Sequence, residues 1–461
     1  MVQRSEKRRL SFLVAAFAVA LSSGTLAVAQ TAARGKGSSW SLQELVGVAL
    51  NRNPGLAATR AATSAAREDI TAAKGQWLPR LDAVGKGEYF PRRERLLIFR
   101  HGFRKDDNPF ENAIVDYGVR VTLPLYTSGR IDHGISLAEA KAEAARYRSK
   151  LTRNELIFNV ASGYYTALRL QRVIAAQQAT LKSLNESRRI SRLLREVGRI
   201  APLDMLRLQT RVSQSERDLA GAHNAYARTL EVLKELVYVP PEVSFDVSGT
   251  LSPASTDVAI EALRGKALAQ RPDLISLRHE VRAKREEVGI ATARLGPSVD
   301  LSAGYRGVTG IDDGTTRDDA ALFLNFRMPL YSGGILDARK RKALAKLKEA
   351  ELRLRDAERR ALAQLERARL DLEASVPRIR AARRAVGLAG ESLRVEREKF
   401  TQGRGTSNDL LIAEETLFRA RRQLSIALAD SQIASAALKL AAGESPVPVA
   451  EQDVESGGPR N

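Results

Sequence analysis

Residues that could do chemistry are few and scattered. The chain has no cysteine, which excludes a disulfide framework, a thiolate metal site and a cysteine nucleophile. Its four histidines, His101, His133, His223 and His279, share no metal-ligand spacing. No nucleophile, base and orienting group fall together, so no catalytic, cofactor or metal residues are expected. Gly403-Arg404-Gly405-Thr406-Ser407 invites comparison with a phosphate-binding loop. No strand precedes it and no Gly-Lys-Ser/Thr follows, so that reading fails. Asp204 and Asp409 remain, each six residues after a glycine (Gly198, Gly403), where a polar turn starts a helix. Arg92, Arg93, Arg95, Arg100, Arg104 and Lys105 crowd the segment 91–113. In isolation that segment reads as a variable surface loop, or as a contact for an anionic surface if it faces outward.

The elements that position these residues follow a repeat. Leu123-Pro124-Leu125-Tyr126 matches Met328-Pro329-Leu330-Tyr331 at an offset of 205, as do Gly198-Arg199 with Gly403-Arg404 and Asp204 with Asp409. Upstream, Pro54 and Pro79 match Pro272 and Pro297 at 218, so a 13-residue insertion lengthens one loop of the first half. Alternation of apolar and polar residues predicts strands near 81–90, 114–125, 298–307 and 320–330. Val115, Tyr117, Val119, Val121, Leu123 and Leu125 carry the clearest apolar face. Behind each pair of strands, 66 residues separate Asp132 from Gly198 and Asp337 from Gly403, enough for helices of about 100 Å. Pro377 predicts a kink in the second helix and the loss of one backbone bond. Met205, Leu208, Val212, Ser215, Leu219, Ala222 and Tyr226, spaced 3-4-3-4-3-4, predict a coiled-coil seam, matched by Leu410, Ala413, Leu417, Ala420, Leu424, Ala427 and Ser431.

Residues 1–29 read as a cleaved signal peptide: Arg4, Lys7, Arg8 and Arg9, then Phe12 to Leu21, then Ala27-Val28-Ala29. No later stretch has 18 uninterrupted apolar residues, which predicts no transmembrane α-helix. The remaining divisions are a first repeat over 30–238, a linker over 239–258, a second repeat over 259–442, and a disordered tail over 443–461. The tip turns fall at 197–203 and 402–408. The net charge of +20 suggests nucleic acid at first. Basic residues and glutamates interleave from Arg339 to Arg380, however, as on a solvated helix. Four amphipathic strands cannot close a barrel, and open edges are forbidden in lipid. If the strands span a membrane, several chains must pool them, and barrel and helices together make a conduit.

From about Ser41 to Ala442 the chain resembles the TolC-type outer-membrane efflux proteins. The resemblance rests on Ala49 to Pro54, Trp77-Leu78-Pro79, the two Pro-Leu-Tyr-x-x-Gly strand exits, Val197 to Asp204, and Gly403 to Leu411. It implies a mixed membrane β-barrel and α-helical barrel built by a homotrimer, with 12 pooled strands in the outer membrane. It also implies docking to a periplasmic adaptor and an inner-membrane pump or ABC transporter, with no nucleic acid and no cofactor. Gly198, Arg199, Ile200, Ala201, Gly403, Arg404, Gly405 and Thr406 would contact the adaptor. Asp204, Asp409, Phe400 and Arg404 would line or latch the aperture, Asp409 in a ring of three carboxylates. Ile412 stands where some members have a second ring aspartate, and Phe400 and Gly405 where they have a latching tyrosine and arginine. The expectation is a closed state resting more on apolar packing, with weaker block by cations. The competing reading is a non-channel periplasmic coiled-coil protein, and a basic nucleic-acid-binding protein comes after it.

Overall fold

A computed structural model describes residues 38–89, 113–198, 200–255, 260–311 and 316–448. The signal-peptide segment, most of the arginine-rich loop, Arg199 and the end of the tail lie outside the described residues. The chain begins with β1 (Ser38–Trp40), α1 (Leu42–Arg52) and α2 (Pro54–Gly75). Ser41 opens α1 with a reciprocal capping box to Glu44, and Asn53 caps α2 by accepting from the Leu56 amide at 3.1 Å. The strands β2 (Arg80–Tyr89) and β3 (Ala113–Tyr126) lead into α3 (Arg130–Glu196) and α4 (Pro202–Val237). After β4 (Phe245–Val247), α5 (Ile260–Gln270) and α6 (Pro272–Ala293), the strands β5 (Ser298–Gly310) and β6 (Thr316–Arg327) lead into α7 (Ile335–Thr401) and α8 (Ser407–Ala441).

The four long strands form one antiparallel sheet in the order β2-β3-β5-β6, leaving β2 and β6 as edges within the chain. Register sorts its faces: Leu81 pairs with Val121, Val119 with Tyr305, and Leu301 with Leu324, all on one side. The opposite side carries Asp82 opposite Arg120, Lys86 opposite Asp116, and Asp300 opposite Asn325. On that polar side Arg306 donates to Asp116 at 2.8 Å across the β3–β5 junction that joins the two hairpins. Gly307 lies under the Tyr117 ring, where a Cβ would come within 2.5 Å of it, so a larger residue there requires the ring to move aside. Strand β6 begins at Thr316, four residues before the expected start, and stops at Arg327 short of Pro329, which has no N–H to donate.

The helices α3 and α7 have 67 residues each. Helix α3 meets α2 and α6 along its first part, with Thr59 Oγ1 3.2 Å from Ser149 Oγ and Ser276 donating to the Ala144 carbonyl at 3.0 Å. Further along it meets α4, where the buried Gln177 donates to Ser215, and then α8. Helix α7 packs on α6 and α8. It runs unbroken through Pro377; beside the proline, Arg378 reaches back to the carbonyls of Ala374 at 2.9 Å and Asp371 at 3.2 Å. Neither is the Glu373 carbonyl, which the proline leaves without its helical donor. The seam positions Met205, Leu208, Val212 and Ser215 are buried, as are Leu410, Ala413, Leu417 and Ala420. By length and composition α8 is the one helix among the described residues that could cross a membrane. Its buried positions recur from Ser407 to Ala441 and pack on α7, α3 and α4, and 39% of its apolar stretch is buried within the chain.

Two short elements were not foreseen. Within the expected linker, β4 pairs in parallel with β1, and Trp40 stacks on Phe245 with ring centroids 5.1 Å apart. Gln171 donates to the Asp246 carboxylate and the Val247 carbonyl, both at 2.9 Å, and Tyr164 donates to the Ser248 carbonyl at 2.6 Å. Burial, then the hydrogen bond to Asp246, pushes the Tyr226 hydroxyl well above its ordinary pKa. The tail needs correction as well. Val447 is buried in the main core with Leu45, Leu233 and Phe245, and Lys266 pairs with Glu444 at 2.8 Å, so residues 443–448 belong to the fold.

Candidate gate at the helical tips

The two turns that join the long helices share one local design. Helix α3 ends at Glu196 and α7 at Thr401, each followed two residues later by a glycine (Gly198, Gly403) with φ of +71°. After α7 the Gly403 amide donates to the Phe400 carbonyl at 3.0 Å and the Arg404 amide to the Lys399 carbonyl at 2.9 Å. These are the two bonds of a Schellman stop, and only glycine takes that backbone without strain. The next helices start earlier than the sequence implied: Pro202 and Leu203 already belong to α4, and Ser407 to α8. Ala201 precedes α4 without a side-chain cap, whereas the Thr406 hydroxyl accepts from the Asp409 amide at 3.1 Å.

Neither candidate aspartate is therefore the capping residue itself; both sit in the first helical turn, where a carboxylate complements the positive helix end. Asp409 is exposed, and its carboxylate accepts from the Thr406 hydroxyl at 2.7 Å. Asp204 is half-buried and accepts from Ser407 at 2.5 Å, with Arg207 at 3.5 Å. That first contact ties α4 to α8, because Ser407 is 1% exposed and held between them. Arg404 is exposed and has no carboxylate partner among the described residues. Gly198, Ala201, Gly403 and Thr406 are exposed, and Ile200 and Gly405 are half-buried. A Cβ on Gly405 would lie 3.0 Å from the Phe400 amide nitrogen, so a longer side chain there needs the turn to shift.

Phe400 does not face an opening in this chain. It is 2% exposed, in a cluster with Leu208, Leu393, Leu410 and Ala413, with Ile200 packed against it. Burying a side chain of that size contributes about 2–3 kcal/mol. The tip turn of the first helix pair is thereby anchored on the core of the second.

The sequence did not point to the polar contacts just behind this cluster. Glu414, 2% exposed on α8, accepts from Arg397 of α7 at 2.7 Å and from Ser183 of α3, which Arg397 also contacts. Beside it, Glu415 of α8 bonds Arg211 of α4 and, at 2.8 Å, Arg419. Three carboxylates, Asp204, Glu414 and Glu415, therefore clasp the α3/α4 pair to the α7/α8 pair beside the apolar cluster. The one available signal was a Glu-Glu pair beside the alanine of a small-residue seam. Away from the tip, the apolar face of the sheet is open: Leu322, Leu324 and Phe326 are 68–69% exposed in a row on β6. A patch of this kind marks an interaction surface.

Comparison with known proteins agrees with this architecture. The chain is 25% identical to outer membrane protein TolC of Vibrio cholerae serotype O1 over 420 residues, covering 90% of this chain and 92% of that protein. It is 28% identical to the alkaline protease secretion protein AprF of Pseudomonas aeruginosa over 351 residues, 74% of this chain and 71% of the relative. The fold matches the crystal structure of the outer membrane protein VceC from Vibrio cholerae with a TM-score of 0.76 at 22% identity, over 88% of this chain and 97% of that one. The description "outer membrane efflux protein" fits residues 45–237 and 263–444. The chain belongs to the outer membrane efflux protein family.

Proposed function

We propose that this chain is a passive exit duct of the outer membrane, carrying small molecules or polypeptides outward when docked to a periplasmic adaptor and an inner-membrane pump or ABC transporter. The observation that carries the reading is a sheet with one apolar face, one polar face and two open edges, from which two 67-residue helices run directly. Open edges are not tolerated in lipid, so β6 of one copy pairs with β2 of the next, and three copies close 12 strands. The apolar side then meets lipid, and the side with Asp116, Arg120 and Arg306 lines the lumen. The helices continue the tube for about 100 Å across the periplasm, and the tip turns meet the adaptor.

In this reading the gate lies at the tips. Asp409, exposed at the start of α8, forms a ring of three carboxylates that attracts cations. Ile412, 57% exposed one turn further on, adds an apolar ring in place of a second acidic one. Cation block is accordingly weaker than in members with two acidic rings. Cell fractionation, trimer mass and single-channel recording test the proposal. Recovery of an SDS-resistant trimer in the outer membrane, with conductance in planar bilayers, is the expected result. A soluble monomer in the periplasm would instead establish the non-channel coiled-coil reading. Strong divalent block, abolished by Asp409→Ala and equal to that of two-ring members, would overturn the apolar gate.

A further inference from the structure

We propose that a cavity in the helical wall between α3, α6, α7 and α8 is a binding subsite for a small organic monocation, held by the Glu155 carboxylate and the Asn154 side chain against an apolar wall. The cavity measures about 420 Å³ and is bordered by Leu151, Asn154, Glu155, Ala368, Ala437 and Leu440, with the Arg271–Asp273 pair also in its lining. That volume suits a small ligand. Asn154 is only 8% exposed and has no hydrogen-bond partner among the described residues. Its amide lines the cavity and is free to bond an occupant there.

The electrostatics select the charge of the occupant. Glu155 has no cationic partner among the described residues, and burial, then the nearby Asp273 carboxylate, raises its pKa. Arg271 also lines the cavity, but its guanidinium is already engaged. It holds Asp273 through two bonds of 3.0 and 2.8 Å, Gln364 at 2.9 Å and the Ala441 carbonyl at 3.3 Å. Asp273 in turn occupies the first turn of α6 and offsets that positive helix end. The C-terminal end of α8, with Leu440 and Ala441, borders the cavity with its negative end. One unpaired carboxylate, beside an Asp273 already held by Arg271, does not suit a divalent metal, which requires several oxygen ligands. Among the described residues no cluster of three or more His, Asp or Glu exists to supply them. A singly charged ammonium with an apolar body fits that carboxylate and the apolar side chains beside it.

The inference does not rest on the channel reading, because binding is measured on the protein and conductance separately. Isothermal titration of the purified full-length protein in detergent with benzyltrimethylammonium should show saturable binding at one site per chain. Glu155→Gln, similar in shape but uncharged, should weaken it by about tenfold or more, and phenylmethanesulfonate, of similar size and opposite charge, should not bind there. Should Glu155→Gln fail to fold, Ala437→Leu, which narrows the cavity without altering charge, should weaken binding likewise. The proposal is overturned by an absence of saturable binding, by equal binding of the sulfonate, by unchanged affinity in the folded Glu155→Gln protein, or by displacement with equimolar magnesium.

Discussion

The clasp behind the tip makes an asymmetric prediction about its two charged members. Glu414 and Arg397 are joined at 2.7 Å, but their side chains are 3% and 45% exposed, respectively. Arg397→Ala strands a buried carboxylate with the Ser183 hydroxyl as its remaining partner. Removing one member of a buried pair in this way costs about 3–5 kcal/mol. Glu414→Ala leaves a guanidinium that can turn to water, plus one lost hydroxyl bond, for about 1–2 kcal/mol. The arginine variant should therefore be worse by about 2 kcal/mol, roughly 30-fold in a local opening equilibrium. Replacing both residues with leucine should cost little, because a buried pair exchanged for apolar packing is often neutral. Hydrogen exchange of the α8 amides between Leu410 and Leu417, in detergent-purified protein, reads local opening directly. Equal protection in the two single variants, or greater loss in Glu414→Ala, would refute the reasoning. In bilayers, the order of resting conductance should follow the order of local opening.

Three further predictions concern separate parts of the molecule. Gly403→Ala, at φ of +71°, should destabilise the turn by about 1–2 kcal/mol, seen as faster exchange of the Arg404 amide; unchanged exchange would remove the Schellman argument. Val119→Arg, on the apolar side of the sheet, should cost about 2–4 kcal/mol in membrane assembly, read as loss of folded protein from the outer membrane, whereas Arg120→Ala on the polar side should be tolerated. Acid should loosen α7. Hydrogen bonds from Arg360 and Arg359 hold Asp356 below its ordinary pKa of 3.8, and those from Arg369 and Arg394 hold Glu366 and Glu391 below 4.5. Groups with depressed pKa stabilise above the ordinary values, and that stability is lost as pH falls through the depressed ones. Glu155, whose pKa is raised, has the opposite sign and favours folding while protonated. Circular dichroism melting should show a lower midpoint at pH 3 than at pH 6, with a smaller difference in high salt. A midpoint independent of pH would dismiss these pairs as irrelevant.

Much of the architecture was legible because its signals are periodic. Alternation at Val115 to Leu125 marked a strand, the 3-4 spacing from Met205 marked a seam, and Gly198 and Gly403 marked the helix stops. What stayed hidden depends on contacts between distant segments. The β1–β4 pair joins residues about 200 apart, too short at each end to carry a pattern. The burial of Phe400 depends on Leu208 and Leu410 of other helices, which its own helix cannot reveal. The offset of 205 also misled in one respect. It matches buried Glu414 with exposed Gln209, so similar sequence positions in the two halves face different surroundings, and the clasp has no counterpart to reveal it.

The equal lengths of α3 and α7 restrict how this chain can change. Deleting one residue from either helix would turn its tip by about 100° and draw it back by about 1.5 Å. The Ser407–Asp204 contact could not survive that rotation. Deleting a full heptad from one helix alone would nearly keep the facing side but misplace the tip by about 10 Å. Insertions and deletions therefore keep the packing only as matched events in whole heptads, in α3 and α7 and in the α4 and α8 that return along them. The reach of the two helix pairs can be inherited in steps, and each step requires coordinated edits in four helices, α3, α4, α7 and α8.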